Sequence, residues 1–234
     1  LYFFLSSKSE LKIIPKNFRL NVNIIKEIFA LGGITIIRQG AVSVLMIVLN
    51  YSLFKYGSEI SIAVFGIINR IMMFVLSPVL GVTQGFLPVA GFNIGAEKND
   101  RVKKTIKTSI YFGTILGTSI FIGIIIFKEE VIWIFTNDAT LLENTPNAML
   151  VVFLATPIIT MQLIGSAYFQ AAGKALPALI LTLLKQGIFL IPLAYILPKY
   201  YGVYGVWWSF PIADVMSTLI TVLVLRREVT KNLK

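Results

Sequence analysis

Four ionisable side chains interrupt the long apolar runs of this sequence: Arg38, Arg70, Lys185 and Asp214. A charge at the depth of a lipid bilayer is costly, so such a residue usually faces a polar interior or pairs with another charge. Two interpretations are therefore open for each of the four. The residue forms a structural ion pair, for example Asp214 with Lys185, or it belongs to a pathway for a polar substrate or an ion.

Uncharged polar residues recur around these charges at helical spacing. Residues three or four positions apart share one face of a helix. The stripes are Thr35, Gln39, Ser43, Met46 and Asn50; Arg70, Ser77, Gln84 and Gly91; Gln162, Ser166 and Gln170; Thr182, Lys185 and Gln186; and Asp214, Thr218 and Thr221. This pattern favours helices that surround a wet or substrate-lined cavity, and the alternative is a set of hydrogen bonds that hold helices together.

The composition places the chain in a membrane. Hydrophobic residues make up 56% of the 234 residues and charged residues only 14%, and the mean hydropathy is +0.82. A water-soluble domain needs more charge to cover its surface. The chain has no cysteine and no histidine, and no metal-ligand cluster, nucleophile–base pair or phosphate loop is visible, so the sequence predicts neither an enzyme nor a cofactor.

Six apolar segments approach or exceed the roughly 20 residues that a spanning helix needs. They are placed at Ile24–Phe54, Ile60–Gly95, Val102–Phe127, Thr145–Ala172, Leu176–Leu197 and Val203–Leu225. The sequence therefore predicts an all-α polytopic membrane protein, a six-transmembrane-helix bundle over residues 24–225 with a basic tail over 226–234. Residues 1–23 are predicted to be a basic cytoplasmic connector that follows the end of a preceding helix, Leu1–Leu5.

The loop charges predict the orientation. Of the 21 Lys and Arg residues, fifteen lie in the segments on one side of the predicted bundle and three, Lys55, Lys128 and Lys199, on the other. Positive residues are retained on the cytoplasmic side, which predicts a multi-pass protein of the inner (plasma) membrane with both ends of this segment cytoplasmic. This distribution also explains the net charge of +10 without nucleic-acid binding.

The second and third segments contain residues that bend or pack helices. Pro78 and Pro88 each remove a backbone donor inside the second segment, and Gly85 weakens it further. Interrupted helices of this kind occur at the moving parts of secondary transporters. In the third segment, Gly113 and Gly117 are four residues apart, which predicts close packing and a scaffold role.

The second segment also resembles a known family. The run PVLGVTQGFLPVAGFNIGA, from Pro78 to Ala96, resembles the signature of the multidrug and toxic-compound extrusion (MATE) family. The match continues in chain order through Arg38-Gln39, Asn69-Arg70, the run from Tyr168 to Ala175, Lys185-Gln186-Gly187 and the run from Gly202 to Asp214. It covers essentially the whole chain.

The resemblance implies a transporter of twelve helices in two lobes that work by alternating access. Such proteins export organic cations in exchange for Na⁺ or H⁺, and this chain would be the C-terminal lobe, helices seven to twelve. The implied partners are membrane lipid, an N-terminal six-helix lobe and a small organic cation. The residues expected along the substrate or ion pathway are Arg38, Gln39, Asn50, Asn69, Arg70, Gln84, Gln162, Gln170, Lys185, Gln186 and Asp214, with Pro78, Pro88 and Gly85 serving helix bending.

The sequence departs from part of the family in its acidic residues. Several members carry coupling-ion carboxylates on helices seven and ten, whereas here helix seven has only Glu27 near its start and helix ten has none. Three deep cations against one deep anion predict acids in the other lobe that face Arg38 or Arg70, or a neutral Lys185. The alternatives are a lipid-linked saccharide flippase, since Arg38, Arg70 and Lys185 suit a pyrophosphate, and a non-transporting membrane fragment.

Overall fold

The computed structural model describes the backbone of residues 22–232 and the side chains of Val22, Ile25 and residues 36–232. The predicted connector and the Leu1–Leu5 segment lie outside the described residues. Internal contacts divide the chain into two units, Leu1–Ile37 and Arg38–Lys234. In the first unit the structure describes only helix, beginning at Val22. All further description concerns the second unit.

The described residues form helices throughout. In chain order these are α1 (Val22–Tyr56), α2 (Glu59–Gly95), α3 (Asn99–Ile126), α4 (Lys128–Trp133), α5 (Ala139–Phe153), α6 (Thr156–Ala171), α7 (Ala175–Leu183), a π-helical segment (Leu184–Leu190), α8 (Ile191–Ile196), α9 (Pro198–Tyr201) and α10 (Val203–Asn232). The short helix α4 was not predicted, and α10 continues beyond the predicted end at Leu225.

Five of these helical stretches are long and apolar enough to cross a membrane, and a sixth is added if α5 and α6 count as one bent span. The stretch from Ala175 to Tyr201 counts as one candidate span, although it contains the π-helical segment. The axes of α5 and α6 differ by 46°. Pro157 stands just after the break and cannot donate to the carbonyl of Phe153, which accounts for the bend at this point.

The helix α2 stays continuous through Pro78 and Pro88. A proline deprives the carbonyl four residues earlier of its amide partner. For Pro78 that carbonyl belongs to Phe74, and the hydroxyl of Ser77 donates to it at 2.7 Å. The sequence predicted weak points here, and the structure shows how one of them is repaired within an unbroken helix.

The buried apolar residues form two clusters. The first core cluster joins the second half of α1, the first half of α2, α5 and the beginning of α10, with Leu49, Ile68, Met149 and Val206 fully buried. The second core cluster joins the end of α2, the beginning of α3, α6 and the end of α10; its members are Phe86, Ala90, Val102, Ile106, Ile164, Ala167, Tyr168, Phe169, Leu181, Leu184 and Leu225.

A polar layer lies between the two core clusters along the helices that both share. On α10 the first cluster ends at Ala213 and the second begins at Leu225. The residues buried between them include Asp214, Ser217 and Thr221. The polar layer is defined by Thr156, Thr160, Gln162, Lys185, Asp214, Ser217, Thr218 and Thr221. The polar layer of hydrogen-bonding groups therefore lies between two apolar core clusters.

The helices α3 and α6 approach closely at two glycines. A Cβ atom at Gly113 would stand 2.1 Å from the Cγ2 atom of Thr160, and one at Gly117 would stand 2.8 Å from the backbone oxygen of Thr156. No side chain fits at either position, because carbon atoms pack at about 3.5–4.0 Å. The scaffold role predicted for this glycine pair matches the geometry of the contact.

Candidate functional site

The site best placed to receive a small molecule is a cavity of about 250 Å³ next to the polar layer, referred to below as the central cavity. Its walls come from α1, α2, α6, the α7–π segment and α10. The lining residues are Val42, Leu45, Met46, Leu49, Phe65, Asn69, Met72, Leu76, Leu80, Ile159, Gln162, Leu163, Thr182, Lys185, Gln186, Leu190 and Phe210.

Four residues that the sequence predicted for the pathway meet at the central cavity: Asn69, Gln162, Lys185 and Gln186. They come from three different helical stretches that are far apart in the chain. The amide groups of Asn69, Gln162 and Gln186 offer hydrogen-bond donors and acceptors on a wall made mostly of leucine, methionine and phenylalanine. A pocket with apolar walls and a few convergent polar groups is typical of small-molecule sites.

Lys185 brings the only charge among the described residues that line the central cavity. Its Nζ atom lies 2.5 Å from the Oδ1 atom of Asp214, and the two side chains are 19% and 3% exposed. Asp214 does not reach the central cavity; together with Lys185 and Thr156 it borders a separate void of about 10 Å³. Asp214 is therefore a buried counter-ion of Lys185 that lies outside the central cavity.

The register of the α7–π stretch is held by α6. The Nε2 atom of Gln162 donates to the carbonyl of Leu181 at 3.4 Å, and the hydroxyls of Ser166 and Thr182 lie 2.8 Å apart. The π-helical segment begins just after these contacts, at Leu184. π-Helical turns widen a helix locally and are frequent at functional sites. Here the wide turn carries both Lys185 and Gln186 to the cavity wall.

The other predicted pathway residues do not converge on the central cavity. Arg38, Gln39 and Asn50 are exposed on α1, Arg70 and Gln84 are exposed on α2, and Gln170 is exposed near the end of α6. Of the residues predicted for bending, Pro78, Pro88 and Gly85 are exposed on α2. Sequence spacing can place residues on one face of a helix, but it does not show whether that face borders the central cavity.

Apolar residues of the cavity wall were missed. Phe65, Met72 and Phe210 line the central cavity but carry no sequence signal, because phenylalanine and methionine are equally common on faces that contact lipid or core. The cavity offers hydrogen bonds, apolar contact and a neutralised ion pair. Among the described residues, no group of three acidic, histidine or cysteine side chains could hold a metal ion.

The sequence matches a protein-family model for most of its length. The family is MatE, and the matched residues are 35–196. The matched region includes the cavity-lining parts of α1, α2, α6 and the α7–π stretch. The chain therefore belongs to the MatE family.

Curated relatives share the sequence along nearly the whole chain. The multidrug export protein MepA of Staphylococcus aureus (strain bovine RF122 / ET3-1) is 26% identical over 232 residues, covering 96% of this chain and 50% of MepA. MepA of Staphylococcus saprophyticus is 25% identical over 225 residues, covering 96% of this chain and 49% of that protein. The chain spans about half the length of the curated relatives it matches.

Solved structures share the fold. A MATE protein in its bent conformation superimposes with a TM-score of 0.85 at 22% identity, covering 98% of this chain and 51% of the other. A MOP superfamily transporter from Pyrococcus furiosus, described as having a binding pocket of reverse polarity, gives a TM-score of 0.86 at 23% identity and covers 98% and 52% of the two chains. The all-α fold predicted from the sequence is thereby confirmed, as is the resemblance to MATE transporters.

Proposed function

We propose that the chain is one lobe of an exporter that moves small amphipathic organic cations out of the cell in exchange for Na⁺ or H⁺, by alternating access with a second six-helix lobe. The proposal rests on the central cavity, where amide groups stand among methionine, leucine and phenylalanine and the one cation is neutralised. Membership of the MatE family and the name of the MepA relatives support multidrug export. No covalent chemistry and no cofactor besides the coupling ion are proposed.

The ion pair is what makes a cationic substrate compatible with the cavity. A free ammonium group on the wall would repel an organic cation, because like charges at a few ångströms in a poorly solvated site interact strongly. Asp214 cancels most of that field at 2.5 Å from Lys185 Nζ. The aromatic and methionine side chains of the wall then provide the polarizable surface on which an organic cation binds.

The proposed setting is the inner (plasma) membrane, with the α2–α3 turn and the end of α10 on the cytoplasmic side. The positive-inside distribution of Lys and Arg supports this orientation. The exposed polar residues Arg38, Gln39, Arg70 and Gln84 are then candidates for contact with the second lobe or with the pathway between the lobes.

Replacing cavity amides tests the proposal. The full reading frame that carries this chain is expressed in an efflux-deficient bacterium, with Gln186→Leu or Asn69→Leu, and export of a fluorescent organic cation is followed. Export by these variants is expected to fall about tenfold, since each loses a polar contact that orients the substrate.

The matched control is Ser119→Leu, which changes an exposed polar residue of α3 that does not line the cavity. Its export is expected to equal that of the wild type at equal membrane abundance. Wild-type export by both cavity variants would refute the role of the central cavity.

A second candidate is transport of an anionic substrate, such as a lipid-linked saccharide. The observation that favours it is that the described residues of the cavity wall include a cation and no acidic residue. Lys185→Met together with Asp214→Leu separates the two, because it removes the cation from the cavity wall without leaving Asp214 buried and unpaired. A carrier of anions would lose transport in this variant. An exporter of cations would still prefer cations to anions at least as strongly as the wild type does.

A further inference from the structure

A second open space among the described helices is larger than the central cavity. A groove of about 620 Å³ runs between the second half of α2 and the first half of α3. It is referred to below as the α2–α3 groove. Because the two helices are antiparallel and joined by a short turn, one end of the groove lies at that turn and the other lies deeper along both helices.

The lining of the α2–α3 groove changes in character along its length. Arg101 and Lys104, in the first two turns of α3, stand near the turn. Val82 and Phe86 line the other end, and Val82 is roughly 20 Å from the end of α2 at 1.5 Å per residue. Cationic groups at the mouth and apolar groups within give the groove the polarity of a single phospholipid, with its phosphate at the turn.

The two cations at the mouth are not neutralised by the described part of the chain. The neighbouring Lys103 pairs with Asp100 at 3.5 Å. For Arg101 and Lys104, no ion pair is formed with any carboxylate among the described residues. Hydroxyl groups of Thr105, Thr108 and Ser109 line the same wall. A phosphate at the mouth would meet two positive charges together, while the hydroxyls of Thr108 and Ser109 lie one to two turns deeper along α3.

Gly85 keeps the groove open. A Cβ atom built there meets no other atom within 4 Å, so the space in front of this glycine belongs to the groove. A larger side chain at this position could enter that space without first colliding with the protein. Gly85 is therefore a point at which the groove can be filled without changing its charge.

We propose that the α2–α3 groove binds one anionic phospholipid of the cytoplasmic leaflet. Its phosphate lies between Arg101 and Lys104, and its acyl chain follows Val82 and Phe86. A small free anion would use the mouth but leave the apolar part empty, and a neutral lipid would leave the two charges unpaired. Basic pockets between helices on the cytoplasmic side suit anionic head groups. The inference uses the orientation proposed above and does not depend on the transported substrate.

A pair of matched double variants tests the lipid site. The product of the full reading frame is placed in nanodiscs of phosphatidylcholine alone or of phosphatidylcholine mixed with phosphatidylglycerol, and bound lipid is counted by native mass spectrometry. Arg101→Gln with Lys104→Gln is expected to weaken phosphatidylglycerol retention about thirtyfold, because it removes both charge-assisted contacts to the bound phosphate.

The control double variant is Lys103→Gln with Lys107→Gln. It removes the same charge from the same helix, at positions that do not line the groove. Retention of phosphatidylglycerol by this control variant is expected to change about twofold or less. An equal loss in both double variants would mean diffuse attraction to the membrane surface and would overturn the site.

Filling the groove gives a second, charge-neutral test. Gly85→Leu is expected to lower phosphatidylglycerol retention while all basic residues stay in place. Unchanged retention in this variant would refute binding along the groove. Failure of the wild type to retain phosphatidylglycerol over phosphatidylcholine would refute the proposal as well, for example because another segment covers the groove. Export assays on the same preparations report separately on the proposed transport function.

Discussion

Two ion pairs connect α10 to the stretch that follows α6, and they differ in depth. Lys185 and Asp214 meet inside the polar layer, where their side chains are 19% and 3% exposed. Lys174, just before α7, contacts Glu228 near the end of α10, and these side chains are 41% and 16% exposed. Asn232 also donates to Glu228, at 2.8 Å. The same two segments are thus tied once in the membrane interior and once near a membrane boundary.

The two ion pairs look alike in the sequence, but their different depths give them different roles. A buried pair cannot exchange its partner for water, so breaking it leaves a desolvated charge. A partly exposed pair is in competition with water and salt, and it contributes little to stability. We therefore expect the inner pair to fix the geometry of the central cavity, and the outer pair to be a contact that can open and close at low cost.

Removing the inner acid should have the largest effect. Asp214→Ala leaves Lys185 without a counter-ion inside the polar layer, and the expected loss of stability is about 3–5 kcal/mol. This loss of stability is measured by thermal unfolding in detergent, with size-exclusion chromatography used to monitor the folded fraction. Cation export should also fall at equal abundance, because an uncompensated ammonium would then face the substrate. A variant as stable as the wild type would show that water already reaches the pair.

Removing the outer acid should have a smaller effect. Glu228→Gln keeps the shape of the side chain and is expected to cost about 1 kcal/mol or less, an amount that high salt should reduce further. Unfolding measured at low and at high ionic strength tests this. The loss caused by Asp214→Ala should not depend on salt. If both variants respond to salt alike, the two pairs do not differ in the way their burial implies.

Replacing the inner pair as a whole should undo most of the loss of stability caused by Asp214→Ala. With Lys185→Met and Asp214→Leu together, neither charge remains to be stranded, and stability should return to within about 1–2 kcal/mol of the wild type. The comparison with Asp214→Ala then isolates the cost of the unpaired lysine. A double variant no more stable than Asp214→Ala would assign that cost to lost packing instead.

The helices could be read from the sequence because each one is set by local properties. Apolar runs of sufficient length, interrupted by Gly, Pro and charge, placed α1, α2 and α3 nearly at their observed bounds. Polar spacing also singled out Gln162, Lys185 and Gln186, and the family resemblance added Asn69; the four residues line one cavity. These features depend on periodicity along a single helix, which a sequence displays directly.

The features that were not predicted depend on contacts between helices. No local signal in the sequence shows whether Asp214 lines the cavity wall or pairs with Lys185 away from it. The π-helical turn at Leu184–Leu190 has no distinctive composition, and it packs against α10. Arg101 and Lys104 were counted only as markers of orientation, and their position at the mouth of a groove follows from how α2 packs beside α3.

The π-helical segment has a consequence for insertions and deletions. A π-turn holds about one residue more than an α-turn, so a stretch of this kind is equivalent to an α-helix with a single added residue. Deleting Gly187 would let the stretch close into a regular α-helix while its two flanks keep nearly their present orientation, because the wide turn already absorbs the extra residue. Only the residues of the turn would shift, Lys185 and Gln186 among them. The central cavity can thus lose part of its polar wall while the surrounding helices keep their packing, a change that a deletion reveals and no substitution would.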